Sequence, residues 1–135
     1  MWRVLILLVA LVLAAPGLGW AICQWAIDPG ATGDVISAMN QGPVGDDVTF
    51  QIFDNAGVQQ GMSVPSGAIA SFGRYETTVR AIYATAGVSS SLIKTTYILA
   101  TEGVGREIIL QVKTGGGTFQ PEHFDTAFAG ACDQR

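Results

Sequence analysis

The chain has 135 residues and carries 7 Lys or Arg against 11 Asp or Glu, a formal net charge of −4. That sparse, acidic balance excludes the clustered cations that nucleic acid and anionic membrane surfaces reward. The length suits one domain with one core.

At the N-terminus Arg3 precedes an uninterrupted apolar run from Val4 to Ala15, and Pro16-Gly17 breaks any helix. Gly19 and Ala21 then supply small side chains at the third-last and last positions of a signal-peptidase site. Cleavage is expected after Ala21, making residues 1–21 a signal peptide and residues 22–135 a single domain with a secreted or periplasmic address. The competing reading is a retained anchor, because Val4 to Ile22 approaches the roughly 20 apolar residues that span a bilayer. Lipid attachment at Cys23 fits poorly, since the residue before it, Ile22, is bulky and branched.

Cys23 and Cys132 are the only cysteines, and in an oxidising compartment two cysteines are expected to pair. A bond between them closes a loop of about 100 residues, worth up to ~4.7 kcal/mol in the chain-entropy model. Without Arg3 the exported chain is more acidic still, which suits a soluble domain.

Along the rest of the chain, alternation and turn chemistry indicate strands. Cys23, Trp25 and Ile27 share a phase before Asp28-Pro29-Gly30, which reads as a type II turn. Asp34 to Asn40 is a second strand. Asp47 to Phe53 alternates most clearly, with Val48, Phe50 and Ile52 on one side. Asp54-Asn55-Ala56-Gly57 closes a hairpin, with Asp bonding the turn backbone and Gly taking the left-handed conformation. Val58 to Val64 returns, Pro65-Ser66-Gly67 turns the chain, and Ala68 to Phe72 reads as a third strand of the meander.

Val79, Ala81 and Tyr83 fit a strand face, while Val79, Ile82 and Tyr83 fit a short helix; Gly87 ends either. Ser91 to Thr101 and Arg106 to Thr114 are two further strands, the second with Ile108, Leu110 and Val112 inward. In the tail, Phe124, Phe128 and Cys132 share a phase as strand or as helix. About seven or eight short segments with turns between them predict an all-β, small antiparallel β-sandwich, immunoglobulin-like in general architecture.

Motifs for chemistry are sparse. His123, the single histidine, lies between Glu122 and Asp125, too few ligands for zinc. No serine sits in a nucleophile elbow, and the Gly115 to Gly117 triplet lacks the Lys-Ser/Thr of a phosphate loop. A calcium site would need Asp46 and Asp47 to join Asp28 or Asp34 at one end of the sandwich. Glu76 and Glu102 are the carboxylates a glycosidase would have to bring together. Trp25, Arg74 and Tyr75 are the residues best suited to a contact surface, since these types dominate interface hot spots.

The sequence therefore reads as a secreted, non-catalytic module that binds a protein or surface partner, with no cofactor, no metal, no nucleic acid and no membrane contact after cleavage. A structural subunit of an extracellular fibre or surface assembly is the alternative, by self-assembly through strand addition. A small secreted enzyme is the second alternative.

Overall fold

A computed structural model describes residues 23–103 and 107–113. The expected signal peptide, His123, the phenylalanine-bearing tail and Cys132 lie outside the described residues. Among the described residues, seven strands form two antiparallel sheets: β1 (Gln24–Ile27), β2 (Val35–Asn40), β3 (Val48–Asp54), β4 (Gln59–Pro65), β5 (Arg74–Thr78), β6 (Thr96–Glu102) and β7 (Ile108–Lys113). One sheet has the order β1-β6-β3-β4 and the other β5-β2-β7. The sheets share one core, in which Trp25, Ile27, Val48, Phe50, Ile52, Ile98 and Ala100 of the first meet Ile36, Ala38, Ile108, Leu110 and Val112 of the second. Phe50 and Tyr75 stack across the gap with ring centroids 6.3 Å apart.

The architecture is thus mostly β and sandwich-like. An immunoglobulin domain keeps strands A, B, E and D together and C, F and G together. Here the second and fifth strands instead join the seventh, while the first and fourth join the third and sixth, so the likeness ends at two packed antiparallel sheets.

Local chemistry explains most boundaries. Asp54 caps the β3–β4 hairpin: its Oδ1 accepts from the Ala56 and Val58 amides at 2.9 Å each. Gly57 takes φ +78°. In β4, Phe50 pairs with Val64 and Ile52 with Gln60, so Gln51 faces the bulged Gly61-Met62-Ser63.

After β5 the chain forms α1 (Val79–Ala86), so the helical phase wins over the strand phase. Thr78 Oγ1 accepts from the Ala81 amide at 3.1 Å. The Gly87 amide donates to Ala84 and the Val88 amide to Tyr83, closing the helix with a left-handed glycine. Val79, Ile82, Tyr83 and Ala86 form the buried stripe.

Three expectations need correction. Ser91 to Thr95 is not strand: a 3-10 helix covers Ser90–Thr95, capped by Ser89, before β6 begins. Ala68 to Phe72 is a loop with a single bridge, Asp46 to Ile69, because the chain turns immediately after it: the Gly73 amide donates to Ala70 O at 2.8 Å, and Asn40 Nδ2 also reaches the Ile69 and Ala70 carbonyls. The first turn lies at Ala31 to Asp34 rather than Asp28-Pro29-Gly30, with Asp34 Oδ2 accepting from the Ala31 amide at 2.9 Å and the Asp34 amide donating to Ala31 O at 3.1 Å. Among the described residues no helix is long and apolar enough to cross a membrane.

Candidate functional site

Strand direction decides which side chains meet. β3 leaves Asp46-Asp47 and runs to Asp54, while β2 runs from Asp34 to Asn40 beside the start of β7. Asp46, Asp47 and Glu102 therefore gather at one end of the sandwich, and Asp28, Asp34 and Asp54 at the other. The aspartate cluster envisaged for calcium is split between the two ends, and no group of three or more His, Cys, Asp or Glu among the described residues converges on a metal position. The glycosidase pairing fails in the same way. Glu102 faces the core of the four-stranded sheet, whereas Glu76 lies on the outer side of β5 and pairs with Arg74 at 3.3 Å.

The three contact candidates also separate. Trp25 is 4% exposed and belongs to the core, because its phase on β1 is the inward one. Tyr75 is partly buried under the same packing. Arg74 alone is exposed, its Nη2 also donating to Met39 Sδ at 3.4 Å.

At the acidic end the most unusual group is Glu102, 3% exposed on the inner face of β6. The Glu102 amide donates to Cys23 O at 2.9 Å, which sets the buried Cys23 beside it. Its Oε1 accepts from the Glu107 amide at 2.8 Å and the Ile108 amide at 3.2 Å, so the carboxyl pins the start of β7. Its Oε2 is buried and accepts from no amide. Burial, then the neighbouring Asp46 carboxyl, with which it bonds only when one of the two holds a proton, push its pKa from 4.5 up to about 7; the two amides oppose the shift.

Asn40, at the end of β2, ties the loops above this carboxyl together. Its Nδ2 donates to Val44 O at 2.7 Å, Ile69 O at 3.2 Å and Ala70 O at 3.3 Å, while Oδ1 accepts from the Gly42 amide at 2.9 Å. Ser71 Oγ adds a bond to Gly42 O at 2.8 Å. Asn40→Ala leaves several of these groups to find water or stay unpaired, and should cost about 2 kcal/mol in urea unfolding. The same variant should speed amide exchange in residues 41–46 and 66–73; exchange unchanged there would mean that Asn40 does not hold the loops.

The loops present two apolar tips, Val44 at 71% and Phe72 at 76% exposure. Phe72 occupies the left-handed region with φ +57°, inside a turn closed by the Gly73 amide on Ala70 O at 2.8 Å. A bulky side chain in that region is a strained arrangement.

The second candidate is the outer face of the four-stranded sheet. Three registered rows cross it. Gln24, Thr101 and Thr49 form one, Ala26, Leu99 and Gln51 the next, and Tyr97, Phe53 and Gln59 the third. Phe53 and Tyr97 stack with centroids 5.8 Å apart and planes 22° apart. Gln24 Nε2 donates to Thr101 Oγ1 at 3.3 Å and Gln51 Nε2 to Gln59 Oε1 at 3.0 Å. No carboxylate, ammonium or guanidinium lies in these rows, whereas the outer face of the other sheet carries Arg74, Glu76 and Lys113. Only Gln59 of the nine is fully exposed, the rest being half-buried.

A shallow groove of about 390 Å³ lies at the far end between the β3–β4 hairpin and the 3-10 helix, lined by Asp54, Asn55, Gln60, Leu92 and Thr95. Its carboxylate is already engaged by the hairpin amides and by Gln60 Nε2 at 2.9 Å.

Sequence reasoning singled out Glu102 but with the wrong partner, and it missed the Phe53–Tyr97 pair. Tyr97 and Phe53 had periodicity to place them outward, but only the register of β6 beside β3 makes them neighbours. Comparison with known proteins adds no assignment: no family model, curated protein or solved structure matches the chain significantly.

Proposed function

We propose that the protein is an extracytoplasmic, non-catalytic module that binds a surface partner through the outer face of its four-stranded sheet. The observation that carries this reading is the Phe53–Tyr97 stack, held half-exposed among Gln24, Gln51, Gln59, Thr49 and Thr101 with no ionised group in the rows. Aromatic rings that keep a solvent-facing surface supply large contact area at low entropic cost. The expected export signal and the expected Cys23–Cys132 bond support an address outside the cell. Immunoglobulin-like binding domains use the same two-sheet architecture, an analogy of fold and not of site.

Partition of the labelled full chain onto intact cells of its own host tests the reading. Wild type should associate with the surface, and the double variant Phe53→Ser/Tyr97→Ser should stay in solution with an unchanged far-UV spectrum. Equal association of both would refute a contact role for this face.

The fibre-subunit alternative draws its support from the exposed tips Val44 and Phe72, which could seat against a neighbour. Edge pairing through β4 is disfavoured, because that strand carries a bulge and ends in Pro65, both of which spoil an edge as a template.

A further inference from the structure

Resting on the contact-face reading above, we infer that the outer face of the four-stranded sheet takes a neutral glycan chain. The face offers two kinds of group and lacks a third. The Phe53 and Tyr97 rings, 5.8 Å apart, give a π-surface of the kind on which the C–H-bearing side of a sugar ring packs. Around them, beside the apolar Ala26 and Leu99 of the middle row, lie amides and hydroxyls, which both donate and accept, as sugar hydroxyls do.

The hydrogen bonds within the face leave capacity for a ligand. Gln51 spends one amide hydrogen on Gln59 Oε1 at 3.0 Å, and its own carbonyl oxygen accepts nothing from the described residues. Gln59 Nε2 reaches Ser63 Oγ at 3.3 Å and Gly61 O at a marginal 3.5 Å. Gln24 Nε2 meets Thr101 Oγ1 at 3.3 Å, a long bond that a better partner displaces readily. What the rows lack is charge, so a polyanion gains no ion pair and a polycation none either.

The shape also favours a polymer over a compact ligand. Four strands at about 4.8 Å spacing make a platform roughly 15 Å wide without an enclosing rim, whereas small molecules seek concave sites that bury most of their surface. A dry protein interface is less well matched, since its centre is apolar and the central strands here set Thr49, Gln51 and Thr101 around Leu99.

The test is retention of the purified full chain on insoluble cellulose, a β-1,3-glucan and starch, with the polyanion alginate in parallel, at low salt and at 0.5 M salt (~4 Å Debye length). Retention on at least one neutral polymer is expected, unaltered by salt and about tenfold weaker for Phe53→Ser or Tyr97→Ser. Tyr97→Phe, which keeps the ring, should stay within about twofold of wild type. Gln51→Glu, whose half-exposed site tolerates a charge, should also weaken retention and covers the case in which a ring variant fails to fold.

Failure on every neutral polymer, or retention that survives both Tyr97→Ser and Gln51→Glu, would overturn the glycan assignment. If the cell-surface association of the wild type still depends on Phe53 and Tyr97 in that event, the contact face stands and its ligand is another surface polymer. Loss of both would remove the contact-face reading too. Association of the chain with itself, abolished by the same variants, would likewise overturn the glycan assignment in favour of a second copy.

Discussion

Stability should fall by about 2–3 kcal/mol as the pH rises from 4.5 to 8, and the Glu102→Gln variant should lose that component. The sign follows from where the proton is held. Glu102 is raised from 4.5 to about 7 in the folded protein, so the folded state binds the proton more tightly than the unfolded chain does. Its contribution is fully present below pH 4.5, is lost as the pH rises through about 7, and changes little above that. The physical cost is that of an ionised carboxylate at 3% exposure beside the Asp46 carboxyl.

Glutamine reproduces the protonated form. Its carbonyl oxygen keeps the Glu107 and Ile108 amides, and its NH₂ gives the Asp46 carboxyl a donor at every pH. At pH 8 the variant should therefore unfold at higher urea than wild type, by about 2 kcal/mol after allowance for the amide's own desolvation. Urea midpoints at four or five pH values measure both curves. Parallel curves would mean that Glu102 is not the group that titrates in this window.

Glu102 also marks the boundary of what the sequence could convey. The alternation over β3 and β7 placed Val48, Phe50, Ile52, Ile108, Leu110 and Val112 inward, and all six are buried, because burial on one face imposes a period of two that no other arrangement mimics. The same rule applied to β6 puts Glu102 inward with Ile98 and Ala100, yet a charged residue at a strand end ordinarily signals water. Only the Glu107 and Ile108 amides and a proton held between Glu102 and Asp46, which are neighbours through tertiary packing, make its burial tolerable. The candidate contact face was less legible still. Phe53 and Tyr97 stand 44 positions apart in the chain, and nothing local to either specifies that β6 pairs with β3. Trp25 misled for the opposite reason: residue type suggested a surface role, whereas its phase with Ile27 correctly placed it in the core. The loop at Ala68 to Phe72 escaped because the Ala70 carbonyl closes a turn onto the Gly73 amide and the Asn40 side chain, some 30 positions upstream, also reaches the Ile69 and Ala70 carbonyls, features that strand propensity does not register.

Gly61→Ala should cost about 3 kcal/mol, against about 1 kcal/mol for Gly67→Ala, although both glycines have positive φ. The conformational part is common to the pair, since φ is +68° at Gly61 and +74° at Gly67, and so is the gain from a less mobile unfolded chain. What differs is space. A Cβ on Gly67 would meet nothing within 4 Å, whereas one on Gly61 would run into the backbone carbonyl of Ala86 and lie 2.7 Å from Val88 Cγ2. Ala86 closes the buried stripe of α1 and its neighbour Gly87 ends the helix, so the carbonyl cannot retreat without lifting the helix terminus from β4. The bulge that places Gly61 there and the left-handed glycine that ends α1 are thus two halves of one contact, which joins the helix to the edge of the four-stranded sheet. Urea unfolding of the two variants, with amide exchange at Gly87 and Val88, measures it. A difference of less than about 1 kcal/mol between them would mean that α1 shifts freely over β4 and that positive φ alone explains the glycine.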